Sequence, residues 1–531
     1  MTAPAKLSIW LFLLLAGIYV TVTRGHFWST DEIAVYQQTR SLWEHGDLDT
    51  TPTLNTLPGH IRRYYAVYGP GQSVLALPLY GIGKAVRVGL EYMGAQTSIR
   101  VLAGPTIGGI QDQLWGGQVE IFFVNLFNAL TVALLATVYF LFSLRLGASP
   151  KWALAATLIF ALATHIAGFS TGFFQHGAES LFVLWSLYFL FCDSAAPSRR
   201  TRTAAGAAAG AMLLVRISTA VLLPALTAYL AYYSWRRLQD GNRRHRLIEL
   251  GRQCIPFFLP VALAMLATVA VNYWKFGAFS LIGAYSRTVP FSTPLLLGLY
   301  GNLFSVGQSI FLFSPILFLA PWYFRSFARR HPAETAAILA MSVSSLLLYS
   351  KIYLWHGQWS FGPRYLVHLV PLLLLPLGPW LQEARKAAWL AIVPMVLGGL
   401  LIEVLHVAVN VSYVYYHEHY SSAPPFDYLF VPNLSQLAAH WRALLAWDSR
   451  VDTWLVNVAR QFGTQPTVPV AICILWFLTW CGRQVRRYLR EAETESAGGV
   501  APAFISAAPV ARGAAALVVV FTVAGLMLDH L

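Results

Sequence analysis

Apolar stretches, most of them roughly 16 to 24 residues, recur along almost the whole chain, and a stretch of that length can cross a hydrocarbon layer of about 30 Å as a helix. A backbone inside lipid must satisfy its own hydrogen bonds, which limits such a chain to a bundle of transmembrane helices. About thirteen stretches are present, at 7–23, 120–143, 152–170, 177–193, 204–215, 217–234, 254–273, 309–324, 335–352, 365–381, 388–410, 467–482 and 513–528. The expectation is an all-α, polytopic membrane protein. Composition leaves no soluble alternative, since 57% of the 531 residues are hydrophobic and 11% charged, where soluble domains carry about a quarter charged. The first stretch follows a single Lys6 and has no small-residue cleavage site before Trp28, so it reads as an uncleaved anchor.

The net charge of +14 is unevenly placed. Arg199, Arg200 and Arg202 form one basic group, and Arg236, Arg237, Arg243, Arg244, Arg246 and Arg252 form the strongest. Arg325, Arg329 and Arg330, then Arg385 and Lys386, then Arg483, Arg486, Arg487 and Arg490 follow in alternate loops. Placing all of these inside puts roughly 22 basic and 8 acidic residues in the cytoplasm, against 15 and 15 outside, and makes the N-terminus cytoplasmic. The excess is topological. It excludes nucleic acid as a partner and leaves the bilayer as the basic residues' counterpart.

The same alternation divides the chain. A transmembrane module at 1–410 includes the first outer loop, 24–117; a second outer region, 411–466, is rich in Tyr, His, Trp and Asp; and 467–531 holds C-terminal helices around a cytoplasmic linker, 483–512. Within the first outer loop, 29–46 predicts an amphipathic helix along the membrane surface, closed by Gly46. The segment 72–93 carries Lys84, Arg87 and Glu91 in its latter half and predicts an interfacial or re-entrant helix. The stretch 204–215 runs into Arg216, which predicts a broken hairpin whose charge faces a water-filled cavity. Cys192, Cys254, Cys473 and Cys481 are placed for neither a disulfide nor a metal cluster.

Asp31 and Glu32 are the first acidic residues beyond the first stretch, within about one helical turn of the outer interface. That placement suits a general base for a hydroxyl acceptor. It equally suits a capping box, with Ser29 as N-cap and Glu32 three positions on, and both acids favoured by the helix dipole.

Several segments in order resemble the GT-C superfamily of membrane glycosyltransferases, in the bacterial branch similar to lipid A aminoarabinose transferases and protein O-mannosyltransferases. They are Ser29-Thr30-Asp31-Glu32, Tyr68-Gly69-Pro70-Gly71-Gln72, Phe291-Ser292-Thr293-Pro294 leading to Gly298-Leu299-Tyr300-Gly301 and Phe304-Ser305, Phe313-Ser314-Pro315, and Trp359-Ser360-Phe361-Gly362-Pro363-Arg364-Tyr365. The likeness covers about 7–380, and the remainder matches only in hydropathy. The resemblance implies an inverting transferase of the bacterial inner membrane, using a polyprenyl-phosphate-linked sugar donor at the periplasmic face. Asp31 is then the general base and Glu32 supports the site. Where relatives often carry a Lys before Tyr-Gly-Pro-Gly this chain has Val67, and where they often carry an Arg before Phe-x-x-Ser-Pro it has Gln308. Other cations must then meet the phosphate. Arg62, Arg63 and Arg364 are the candidates, because a guanidinium makes paired charged hydrogen bonds to phosphate, with Tyr68 beside them in the motif.

His176 and Glu179, three positions apart on one helix face, and His356 in a later outer loop are candidates for substrate binding. They are too few to define a metal site, so a divalent ion as cofactor is left open. Glu403 and His406 repeat the spacing in a later stretch, where ionisable groups face protein or water. Trp355 and Trp359 are candidates for stacking on a sugar ring, and Tyr285 and Arg287 follow the stretch ending near Lys275 on the outer side. A transporter or flippase of lipid-linked saccharide is the alternative. It needs the helices and the cations but no base beside the first stretch. The acceptor, whether envelope glycan, lipid or protein, has no motif to name it.

Overall fold

The computed structural model describes residues 2–53, 55–94, 119–238, 242–283, 290–357, 360–409, 411–414, 426–446 and 451–497. Helix α1 (Ala3–Val22) carries Pro4 in its first turn, where a missing amide costs nothing. Helix α2 (Thr30–His45) is capped by Ser29 and ends at Gly46 with φ 65°. Short strands β1 (Asp49–Thr50), β2 (Thr56–Pro58) and β3 (Tyr64–Ala66) then pair antiparallel in the order β1-β3-β2. After α3 (Gly71–Tyr92) come α4 (Val119–Arg145), α5 (Pro150–Leu162), α6 (His176–Ala195), α7 (Arg199–Val215), α8 (Leu223–Arg237) and α9 (Arg243–Phe276). The C-terminal half holds α10 (Leu295–Phe304), α11 (Ala320–Arg330), α12 (Pro332–Lys351), α13 (Trp389–Ala408), α14 (Gln436–Leu445), α15 (Trp454–Phe462) and α16 (Thr467–Ala497), with shorter turns between.

Among the described residues nine helices are long and apolar enough to cross a membrane. The chain is an all-α polytopic membrane protein. Several expected spans take another form. The stretch 309–324 divides into Ile310–Phe313, a 3-10 turn at Pro315–Leu319 and the start of α11. The stretch 365–381 divides into Arg364–Leu366, Leu369–Leu374 and Leu377–Glu383. Pro315, Pro371 and Pro376 lie inside these apolar runs, and each removes an amide that a continuous helix needs. Hydropathy counts such runs as spans because it does not register the break. Conversely, α3 is by length and composition a span. Arg87, one of the charges that predicted an interfacial helix, pairs with Glu91 at 2.9 Å and with Glu120 of α4 at 2.5 Å. At the other end, α16 runs on to Ala497, so 483–497 is helix rather than linker, braced by an i, i+4 pair between Arg487 and Glu491 at 3.1 Å. The expected span 513–528 and the rest of the linker lie outside the described residues.

Helices α7 and α9 approach closely because α7 offers small residues. A Cβ on Gly210 would stand 2.9 Å from the Pro260 carbonyl oxygen, and one on Gly206 would collide with the Phe257 carbonyl. Such small faces let backbones meet where lipid supplies no hydrophobic drive. The loop between α1 and α4 forms a second core with the bundle. Phe27, Ile33, Val35 and Tyr36 pack with Ala76 and Tyr80 of α3, Ile121, Val124 and Phe127 of α4, and Phe173. Residues 32–39 of α2 are buried without interruption, so that part of the helix is enclosed by protein, and exposure begins at Arg40. Lys275, at the end of α9, locks this loop to the bundle: its buried ammonium donates to Gln38 Oε1 at 2.6 Å, the Tyr68 carbonyl at 2.8 Å and the Ala66 carbonyl at 3.1 Å.

Candidate functional site

Ser29 and Glu32 form the capping box that their spacing predicts. Glu32 is fully buried, and its carboxylate accepts three backbone amides: Trp28 and Ser29 at 3.1 Å each and Phe173 at 2.6 Å. Burial pushes the Glu32 carboxyl above the usual carboxylate range, against the opposing pull of the Phe173 and Trp28 amides and of Arg24. Glu32 thus fixes the start of α2 to the loop before α6.

Asp31 is arranged differently. Its own amide donates to Ser29 Oγ at 3.2 Å, but its carboxylate makes no bond to α2. Oδ1 accepts from Asn55 Nδ2 at 2.6 Å, and Oδ2 accepts from Arg364 Nη1 at 2.7 Å. The Asp31 side chain is 20% exposed and that of Arg364 12%, so the pair sits at an edge rather than in the core. Asn55 also donates to Thr30 Oγ1 at 2.7 Å, which orients it toward the helix start. Arg364 lies over the Tyr365 ring at 5.1 Å, and among the described residues its Nε has no hydrogen-bond partner.

Tyr365 connects this pair to a second, deeper charge cluster. Its ring stacks on Tyr349 with centroids 5.0 Å apart and planes at 4°, and Arg216 lies over both rings, 5.0 Å from Tyr365 and 5.6 Å from Tyr349. Arg216 Nη1 donates to Glu179 Oε2 at 3.1 Å and meets His176 Nδ1 at 2.8 Å. His176 Nδ1 is 3.2 Å from the same Glu179 oxygen, and His368 Nδ1 is 3.4 Å from the other. Arg216 already supplies the positive charge that a metal between His176 and Glu179 would bring. The backbone explains how Arg216 arrives: α7 ends at Val215, and the Tyr-Gly-Pro-Gly turn presses against that end. A Cβ on Gly71 would lie 2.6 Å from the Leu214 carbonyl carbon, so only glycine allows the approach.

The remaining candidates are dispersed. Arg63 is half exposed, hydrogen-bonds to Asp47 and lies 3.7 Å from Asp49, within the small sheet. Arg62 stands exposed at the β2–β3 turn with φ 60°. Among the described residues neither forms a hydrogen bond or ion pair with Asp31 or Arg364. Tyr68 lies within electrostatic reach of Arg364. His356 is buried beside Trp355 and Tyr428, whose hydroxyl meets its Nδ1 at 3.1 Å; burial, then Arg364, pushes its imidazole down to about 4. Trp355 is buried against Gly301 and Phe430, which makes it part of the packing between α10, the loop after α12 and the turn at Asp427–Phe430. Tyr285, Arg287 and Trp359 lie outside the described residues. Sequence reasoning missed Asn55, Tyr365 and His368 as members of the site. Arg216 carried a signal, a charge interrupting an apolar stretch, and Tyr365 adjoins Arg364 in the motif.

A cavity of about 300 Å³ runs along α2, lined by Tyr36, Gln37, Arg40, Glu44, Asp49 and Thr51 among others. Neither Asp31 nor Arg364 borders it.

No protein-family model matches the chain, and no curated protein matches it significantly. Among solved structures it is similar to ArnT from Cupriavidus metallidurans bound to undecaprenyl phosphate, with 17% identity and a TM-score of 0.45 over 93% of this chain and 78% of that one. It is also similar to the oligosaccharyltransferase AglB from Archaeoglobus fulgidus in complex with an inhibitory peptide and a dolichol-phosphate, with 11% identity and a TM-score of 0.40 over 77% of this chain and 55% of that one.

Proposed function

We propose that the chain is an inverting glycosyltransferase of the bacterial inner membrane that moves a sugar from a polyprenyl-phosphate carrier to a hydroxyl acceptor at the periplasmic face. The observation that carries the reading is the Asp31 carboxylate. It stands at the start of α2 without bonding that helix, it is partly exposed, and it is held between Asn55 and the guanidinium of Arg364. A purely capping acid would turn its oxygens to the amides at the helix start, as Glu32 does to those of Trp28 and the N-cap Ser29. The ordered motifs around Asp31, Tyr68 and Arg364 support the same reading.

In the proposed reaction the anionic phosphate of the donor takes Arg364 from Asp31. The freed carboxylate receives the acceptor's proton as the hydroxyl oxygen bonds to the anomeric carbon, and the bond from that carbon to the phosphate oxygen breaks on the opposite face. The electron pair leaves with polyprenyl phosphate, whose negative charge Arg364 meets, and the sugar inverts without a covalent enzyme intermediate. Arg216, held over Tyr365 and tied to Glu179, gives the deeper side of the site its second cation.

The test uses the purified full chain with a labelled polyprenyl-phosphate sugar and a membrane extract as acceptor. Polyprenyl phosphate should be released by the wild type and not by a folded Asp31→Ala variant. Release that persists in Asp31→Ala overturns the reading, and transport of lipid-linked saccharide that survives the substitution replaces it with a flippase.

A further inference from the structure

The last turns of α13 carry Glu403 and His406, and the segment after α5 carries His165. The three side chains meet inside the protein. One nitrogen or carboxylate oxygen from each lies within 4.8 Å of the others, and His406 Nδ1 is 3.8 Å from Glu403 Oε2. His165 is 1% exposed, and Glu403 and His406 are each 5% exposed. Among the described residues neither ring nitrogen of His165, neither oxygen of Glu403 nor Nδ1 of His406 has a hydrogen-bond partner. Gly168 faces the Glu403 carboxylate, but its amide makes no hydrogen bond of ordinary geometry there.

The surroundings are apolar: Phe169 and Phe313 lie 5.0 and 5.5 Å from the His165 ring, and Phe361 lies 4.4 Å from His406. A buried polar atom left unpaired costs about 1–3 kcal/mol, and here several converge on one point. Arg24, within electrostatic reach of His406, is turned over the Trp28 ring at 5.2 Å.

We propose that His165, Glu403 and His406 hold a divalent transition-metal ion, Zn2+. Two imidazoles and one carboxylate suit zinc, whereas magnesium and calcium prefer oxygen ligands. Donors around a tetrahedral ion at about 2.1 Å stand about 3.4 Å apart, so small side-chain rotations bring the three into place. A cavity of about 10 Å³ bordered by His406 has room for roughly one water beside the ion. The ion joins α13 to the loop after α5, the loop whose Phe173 amide holds Glu32. Its presence is measured without any substrate, so this proposal stands or falls apart from the transfer reading.

The experiment is metal analysis of the full chain, purified in detergent through a tag that contains no histidine. About one zinc per chain should survive dialysis against a weak chelator. Glu403→Gln and His406→Gln should each lower that content at least tenfold, while the exposed His45→Gln leaves it unchanged. Should a variant fail to fold, X-ray absorption at the zinc edge of the wild type decides, because two imidazoles should appear in the first coordination sphere. Wild-type protein that holds less than a tenth of an equivalent after incubation with zinc overturns the proposal. So does metal content unchanged in the folded variants, or a zinc sphere without imidazole.

Discussion

Asp31 and Glu32 are neighbours in sequence with opposite surroundings, and their substitutions should separate accordingly. Asp31→Asn keeps an oxygen for Asn55 but removes the proton acceptor, so kcat should fall about 10²- to 10⁴-fold with little change in melting temperature. Glu32→Gln turns an amide NH2 toward one of the three donors its oxygens serve, which should cost about 1–3 kcal/mol of stability and lower the melting temperature measured in detergent. A Glu32→Gln protein as stable as wild type, or an Asp31→Asn protein with full turnover, would contradict these roles. Arg364→Lys keeps the charge but loses the planar fork and its stacking on Tyr365. We expect the KM for donor to rise about 10- to 100-fold, the size of one or two charged hydrogen bonds, and a KM within twofold of wild type would show that Arg364 does not meet the donor.

At the scale of elements, the junction between α1 and α2 is tied to the segment just before α15. His26 Nε2 lies 2.8 Å from Asp452 Oδ1, both groups are buried, and the Trp454 amide donates to the Thr23 carbonyl at 3.0 Å. Burial alone would lower the His26 imidazole, but Asp452 holds it above its ordinary 6.5. Burial alone would raise Asp452, but His26 holds it below its ordinary 3.8. The signs set a window. The His26 contribution is complete below about pH 6.5 and is lost as pH rises through the raised value, whereas the Asp452 contribution is complete above about pH 3.8 and is lost as pH falls through the lowered value. Thermal stability should therefore gain most from this tie between about pH 4 and 6.5. His26→Ala should flatten the alkaline limb of the melting-temperature profile, and an unchanged limb would remove the tie from the account.

For the molecule as a whole, the positive loops predict which side each element faces. In a background free of Cys192, Cys254, Cys473 and Cys481, a cysteine placed at Arg62 should react with a membrane-impermeant maleimide in intact cells, and one at Arg244 only after permeabilisation. The reverse pattern would invert the topology. The helical, membrane-spanning fold was legible in the sequence because bilayer thickness forces long apolar runs, and the capping box was legible because it is local. What escaped was of two kinds. Apolar runs broken by Pro315, Pro371 or Pro376 hide their breaks from any measure of hydropathy. Partnerships across the chain, such as Asp31 with Arg364, 333 positions apart, or His165 with Glu403 and His406, leave no spacing to read. Single residues could be singled out, while their meeting required the packed bundle.

The contact between Asp31 and Arg364 also dictates a sequence of events in the proposed cycle. While the two engage each other, an arriving hydroxyl finds its base already occupied, and water is refused on the same grounds. In that cycle an anionic guest disengages them, so loading is ordered: lipid-borne sugar first, recipient second.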